Sequence, residues 1–388
     1  LPGWGYFFQA SPQTLDQKGE WYYDPAAHEI SVYFGDADPG AFVVEASSVE
    51  TLVTVKNQDH ILFDGLAVRG ANDRAFLVDT ATAVTIRSVS ISQTGQTAIH
   101  ASGTDSLTVE GTRIEDTGNA GIFVRDSQSL TLRGNVILRT GVVLGAGAAT
   151  ADGGNYSAIV IDGSGVVDRN TLIEQNLIEH VGYNGIHFVA SGVTVKNNVI
   201  VGYNERLDDG GGIYAWRNGE PYVNRKIIGN IVLDGHGAPD GTSSPVALQS
   251  AGIYLDNATN EVEVRGNTAA RAVNAGLFEN YAVNVTIADN TFFDNHKQVS
   301  LFSLTTQPLS ANTFTGNLFF SRTADQLCLL TGSSPGQIET FGSFDGNAGD
   351  FNKTSGNLPL LVLGALVSFY LLGKQGQVAQ WGALLLGI

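Results

Sequence analysis

Sulfur is almost missing from this chain: its 388 residues hold one cysteine, Cys328, and no methionine. A single thiol excludes an internal disulfide framework, and a lone Cys of this kind reads as a small buried residue rather than a reactive one. The absence of Met is unusual at this length. Basic residues are also scarce, 21 Lys and Arg against 38 Asp and Glu, for a formal net charge of -17. That balance argues against nucleic acid and anionic membranes as partners, and against a polyanionic sugar unless metal ions bridge the charges. Sustained helical spacing is missing through the middle of the chain. No charged and apolar leader precedes Leu1, so a signal peptide is expected to be absent or already removed. The one long uncharged apolar stretch, Leu358 to Gly373, has 16 residues, short for a membrane span, and contains Pro359, Gly364 and Ser368. Together with Gln377 to Ile388 it reads as a β-rich cap.

What is present is a repeat. An apolar residue, two mostly polar or small residues, Asn or a small stand-in, and an apolar pair recur as IRSVSI (Ile86 to Ile91), VEGTRI (Val109 to Ile114), LRGNVI (Leu132 to Ile137), IEQNLI (Ile173 to Ile178) and VKNNVI (Val195 to Ile200). The phrase continues as IIGNIV, VRGNTA, IADNTF and FTGNLF, ending at Phe319. Its fourth position is read at Gly65, Val89, Thr112, Asn135, Asn176, Asn198, Asn230, Asn267, Asn290 and Asn317, at intervals of 24, 23, 23, 41, 22, 32, 37, 23 and 27. A recurring period of this size means stacked units, each one turn of a coil.

Each unit is built of strands, because apolar and polar residues alternate in short runs punctuated by Gly, Asn and Asp. A second strand in each coil is built on Gly-Ile, as in Ala120 to Val124, Asn184 to Phe188 and Ala251 to Leu255. Stacked strands of this kind give an all-β parallel β-helix of about ten coils, with the recurring Asn bonding its own kind on the coils above and below. The expected division is a β-rich section over 1–50 that covers the N-terminal end of the stack, a helix over 51–330, and a C-terminal β-rich cap over 331–388.

At this point the sequence resembles the right-handed parallel β-helix proteins of the pectate-lyase-like superfamily, over roughly residues 50 to 330. It is most similar to bacterial right-handed β-helix repeat proteins, a group that includes xylosidase- and fucosidase-type glycoside hydrolases. The phrases that carry the likeness are GEWYYDPAAHEISVY (Gly19 to Tyr33), GNYSAIVIDG (Gly154 to Gly163), DDGGGIYAW (Asp208 to Trp216) and AGIYLDNATNEVEVRGN (Ala251 to Asn267). Related proteins usually open with an Asn-Pro-Gly-rich first coil, which is not seen here, so an N-terminal portion is expected to be missing. The fold carries lyases, hydrolases, esterases, epimerases and phage adhesins, so function has to be read from the site.

Three long intervals locate that site. Residues are inserted between the Asn corner and the next Gly-Ile strand at Thr140 to Ser157, Tyr203 to Gly211 and Asp234 to Ser250. Entering at one corner, the insertions would wall a groove along the outer face of the Gly-Ile strands. If the Ile of each Gly-Ile points inward, the first outward column is His100, Phe123, Val160, His187, Tyr214, Tyr254 and Phe278. The second is Ser102, Arg125, Asp162, Val189, Trp216, Asp256 and Asn280. Exposed rings are costly unless covered, and sugars cover them well by stacking C–H faces on rings. The expected partner is therefore an oligo- or polysaccharide, contacted by Asp208, His187, Tyr183, Tyr214, Trp216, Tyr254, Phe278 and His236.

Carboxylates around this floor are the catalytic candidates. Asp256 and Glu279 are separated by one coil, and rungs about 4.8 Å apart would set two carboxyls at the spacing of a retaining glycosidase. The likeness to β-helix xylosidases implies Asp256 as nucleophile and Glu279 as acid/base. Strict alternation from Leu277 points Glu279 inward, so the strand must end or bulge at Phe278 for this pair. The rival pair is Asp209 with Asp256. Asp208 and Asp209 together also suit calcium, through carboxylates and loop carbonyls; a transition-metal site is not expected. The function expected is a secreted or periplasmic glycoside hydrolase acting on a neutral or weakly charged plant or algal glycan. Two alternatives stand beside it. One is a uronate lyase or epimerase drawing on Arg125, Arg206, Arg217 and His187. The other is a non-catalytic glycan-binding solenoid.

Overall fold

A computed structural model describes residues 8, 10–143, 155–163, 168–216, 219–304, 306–332, 342–349 and 354–355. Trp4, Tyr6, Arg217, residues 144–154 of the first insertion and the apolar stretch Leu358 to Gly373 lie outside them. The described chain winds as a parallel β-helix with three sheets of 11, 11 and 12 strands, each strand pairing with its equivalents one coil away. The first strand of the stack is Val49–Lys56, and the last described one is Thr354–Ser355, past residue 330 where the sequence places the start of a cap. Before the stack, Trp21–Asp24 and Glu29–Val32 form an antiparallel hairpin. None of the described residues up to 50 is buried. Among the described residues no helix is long and apolar enough to cross a membrane.

The apolar residue that opens the repeated phrase faces the interior. Ile86, Val109, Leu132, Ile173, Val195, Ile227, Val264, Ile287 and Phe314 pair coil to coil and are all fully buried. Each such burial contributes about 1.5–3 kcal/mol, which is why the stack rather than any single coil is the stable unit.

The corner after this strand is set by two consecutive positions. The first is left-handed in every coil: Gly65, Ser88, Gly111, Gly134, Gln175, Asn197, Gly229, Gly266, Asp289, Gly316 and Gly346 have φ between 53° and 67°. Glycine takes this conformation without cost, and Asn and Asp tolerate it. The second position is the Asn column. Asn135 Nδ2 donates to Asn176 Oδ1 (2.9 Å), Asn176 to Asn198 (2.8 Å), Asn198 to Asn230 (2.9 Å) and Asn230 to Asn267 (2.9 Å). The series continues through Asn290 and Asn317 to Asn347. Each Oδ1 also accepts the backbone N–H of the preceding coil's Asn, so every amide buried at the turn is satisfied. The register corrects one assignment. Leu62, Phe63 and Asp64 pair with Thr85, Ile86 and Arg87, while Ala67 pairs with Ser90. Leu66 rather than Gly65 therefore stands in the Asn column; Gly65 belongs to the left-handed position before it.

Candidate active site

The Gly-Ile sheet supplies the floor. His100 pairs with Phe123, Phe123 with Val160, Val160 with His187, His187 with Tyr214, Tyr214 with Tyr254, and Tyr254 with Phe278, which is the outward column expected from alternation. The rings touch along it: His187 and Tyr214 at 4.9 Å, Tyr214 and Tyr254 edge-to-face at 5.1 Å, Tyr254 and Phe278 stacked at 4.6 Å. Upstream, Phe123 and Val160 are buried with Ala120 in a small cluster, so the open floor starts at His187.

All three insertions do enter at one corner, between Val136–Thr140 and Ile159–Asp162, between Val199–Tyr203 and Gly210–Trp216, and between Ile231–Gly235 and Ser250–Asp256. Their bases are pinned by side-chain amides. Asn119 Oδ1 accepts from Tyr156 N (2.9 Å), Asn184 Oδ1 from Gly211 N (2.8 Å), and Asn204 Oδ1 from Ser250 Oγ (2.9 Å). Gly210 sits where an added Cβ would lie 2.4 Å from Asn204 Nδ2 and 2.6 Å from Asn184 Oδ1, so only glycine passes between these two amides.

Two carboxylates reach one cavity of about 430 Å³, lined among others by Tyr183, His187, Asp209, Tyr214, Trp216 and Asp256. Asp256 accepts three hydrogen bonds: from Tyr214 Oη (2.6 Å), Asn280 Nδ2 (2.7 Å) and its neighbour Asn257 N (2.7 Å). Three donors fix its orientation toward the groove. Asp209 accepts only from Tyr254 Oη (3.2 Å), while its backbone carbonyl accepts from Tyr183 Oη (2.7 Å). Partial burial, reinforced by the nearby Asp256 charge, pushes the Asp209 carboxyl above the usual carboxylate range; the Tyr254 hydrogen bond opposes this. Burial and then the same two carboxylates raise Tyr183, Tyr214 and Tyr254, which stay protonated as donors.

Adjacent Asp208 and Asp209 do different work. Asp209 is left-handed, with φ 61°, and the turn sends the two side chains apart. Asp208 is buried and accepts Gln249 N on both oxygens (2.9 and 3.1 Å), tying the second insertion to the third. It is therefore a strut rather than a sugar ligand. With its oxygens engaged and Asp209 facing Tyr254, the pair does not fit calcium, and among the described residues no group of three His, Cys, Asp or Glu side chains could hold a metal ion.

Glu279 is the main correction. Its strand, Ala275–Asn280, runs on without the expected break, and Glu279 pairs with Leu255 and Leu301 on the inward column. The side chain is fully buried; Oε2 accepts from Asn312 Nδ2 (3.2 Å) and Oε1 has no partner. Burial pushes its pKa up to about 8. It faces the core, so it cannot flank a substrate with Asp256. His236 is exposed and lines neither cavity described here. His187 and Trp216 do line the smaller cavity, and both His187 ring nitrogens lack partners there while burial holds its pKa down to about 4. Phe278 lies in a second cavity of about 750 Å³, which shares Gln249, Tyr254 and Asn280 with the first. Arg125 pairs with Asp162 and Arg206 bonds Val142 O, so neither serves this groove. Sequence reasoning missed Lys297, which lines the larger cavity; its place at the start of Lys297–Phe302, one coil beyond Ala275, could have found it.

The model of the "Right handed beta helix region" family matches residues 44–166 and 148–334. Among solved structures, the chain is similar to the catalytic unit of a GH87 alpha-1,3-glucanase from Streptomyces thermodiastaticus, at 16% identity and TM-score 0.52 over 78% of this chain and 64% of that one. It is also similar to the A-module of the mannuronan C-5 epimerase AlgE4 from Azotobacter vinelandii, at 12% identity and TM-score 0.50 over 81% of this chain and 90% of that one. The chain thus spans less than two thirds of the glucanase unit. No curated protein matches. At these identities the likeness is one of fold, and the solenoid, its Asn ladder and the family match together make this chain a member of the right-handed parallel β-helix family.

Proposed function

We propose that the protein is a glycoside hydrolase acting outside the cytoplasm on a plant or algal polysaccharide, with Asp209 as general acid and Asp256 as its carboxylate partner. The observation that carries this reading is the pair itself: two carboxylates on one cavity, each held by a tyrosine of the stacked floor. Their surroundings differ as acid and base require. Asp209 has one donor and a raised pKa, so it holds a proton to higher pH than an ordinary aspartate, the direction a general acid for the departing glycosidic oxygen needs. Asp256, held by three donors, supplies negative charge toward the anomeric carbon. Trp216 and the partly exposed Tyr214 ring offer faces on which sugar C–H groups stack. A retaining outcome was expected from the Asp256 and Glu279 spacing, and it loses that support because Glu279 faces the core.

A screen of neutral polysaccharides and aryl glycosides tests the reading. Asp209→Asn and Asp256→Asn should each lower kcat by about 10²–10⁴-fold with folding intact. Full turnover in both variants would discard the pair. A second reading, a lyase or epimerase, draws on His187, the histidine lining the same cavity; both its unpaired ring nitrogens are buried, so on that reading substrate binding must uncover one of them to take a proton next to a uronate carboxylate. Ultraviolet-absorbing unsaturated products, lost in His187→Gln, would select it. Glycan retention with no product would select the binding solenoid.

A further inference from the structure

We infer that the larger cavity beside the carboxylate pair is a subsite for one acidic sugar residue, whose carboxylate or sulfate is bound by the Lys297 ammonium. The inference rests on the reading that the groove holds a glycan, and it adds what kind.

Lys297 opens the strand Lys297–Phe302 and is partly buried, with Nζ donating to Asn274 Oδ1 at 2.7 Å. It makes no ion pair among the described residues. The arginines on adjoining coils are different: Arg271 pairs with Asp234, Arg322 with Asp294, and Arg265 with Glu263 and Asp289. A half-desolvated ammonium held by one neutral amide is costly, and burial lowers its pKa accordingly. In a protein with net charge -17 it is left without a carboxylate where acidic residues are plentiful. Among the described residues lining either cavity it is the only lysine or arginine.

The rest of the lining suits a sugar. Phe278 and Phe302 offer ring faces, and Asn274, Asn280 and Ser300 offer hydrogen-bonding groups. Charge changes sign along the groove. Asp209 and Asp256 line the smaller cavity, whereas Lys297 stands two coils beyond Ala251, about 10 Å across the coils and a further five residues, about 17 Å, along the strand from Asp256. The carboxylates repel a run of anions, as expected from composition. A single anion placed over Lys297, with a neutral residue over the aspartates, meets no such barrier. The acidic unit is therefore bound away from the reacting sugar rather than being the reacting sugar itself.

A uronate and a sulfate ester present the same chemistry to Lys297, and matched glycans separate them. The Asp256→Asn variant, which should bind without turning over, is applied to immobilised plant and algal oligosaccharides. Each uronate-bearing glycan is paired with its carboxyl-reduced form, and each sulfated one with its desulfated form. At least one pair should favour the anionic member by about tenfold or more. Adding Lys297→Met should abolish that preference while Lys297→Arg keeps it, with thermal melting as the check on folding. The arm that shows the preference identifies the source of the anion. No preference in any pair, or a preference that survives Lys297→Met, overturns the inference. Binding is read without catalysis, so failure of the hydrolase reading appears separately, as absence of turnover in the unsubstituted protein.

Discussion

Glu279→Gln separates the core from the groove. In the unfolded chain a glutamate titrates near its ordinary value of 4.5, whereas in the folded stack burial raises Glu279 to about 8. Between those values the folded state holds a proton that the unfolded state releases, so folding loses stability as pH rises. The full contribution is present below 4.5 and has gone once pH passes about 8. Each pH unit costs about 1.4 kcal/mol, which gives on the order of 4 kcal/mol between pH 5 and pH 8. Gln has no proton to release, and its Oε1 can accept from Asn312 Nδ2 as Glu279 Oε2 does. Urea unfolding at pH 5, 6.5, 8 and 9 should show the stability of the unsubstituted protein falling relative to Glu279→Gln as pH rises, because the other titrating groups, His187 included, are common to both. Turnover at pH 6 should be unchanged. Parallel pH dependence in the two proteins would refute the raised pKa, and a large loss of turnover at pH 6 would return Glu279 to the active site.

Asn230→Ala should cost about 1–3 kcal/mol, because the buried Asn198 N–H loses its acceptor, and a thermal melt that does not move would show the ladder to be dispensable. Asp208→Ala removes both acceptors for Gln249 N; we expect faster proteolytic nicking within 236–249, with unchanged nicking counting against the strut. Asp256→Asn removes the like charge beside Asp209, so the Asp209 pKa should fall in a carbon-detected titration, and an unmoved titration would deny their coupling. In the unsubstituted protein the hydrolysis rate should fall as pH rises through the elevated Asp209 pKa, and a rate that stays flat until ordinary lysine pKa values would exclude Asp209 as the acid.

The fold was legible because the Asn column must be Asn: an amide at that corner needs both a donor and an acceptor, and few substitutes satisfy neighbours on two sides. Where the amides give out, so did the register. Leu66, Val89 and Thr112 fill the first three rungs, and Gly65 drew the assignment because glycine marks the left-handed position beside it. The outward column from His187 to Phe278 followed from alternation alone. Glu279 went wrong where a family likeness was set above that same alternation, which already pointed the side chain inward. Excess length was attributed too simply to the groove corner. Ile186 to Asn198 takes 12 residues but the equivalent Ile213 to Asn230 takes 17, so part of the longest coils lies on the opposite turn. Asp208 as a strut could not be seen, because its partner is the backbone of a loop 41 residues away.

The asparagine ladder has a direction. From Asn135 to Asn317 each Nδ2 donates one hydrogen to the Asn Oδ1 on the C-terminal coil and also donates to a backbone carbonyl on the N-terminal one, while each Oδ1 from Asn176 to Asn347 accepts from the N-terminal coil, so the amide-to-amide chain runs one way along the axis. Any turn of the spiral thus presents the same plug on one face and the same socket on the other. A 23-residue segment such as Asn267 to Asp289 could be excised or duplicated and still mate with what lies above and below. Evolution could lengthen this trough by copying without redesigning a joint.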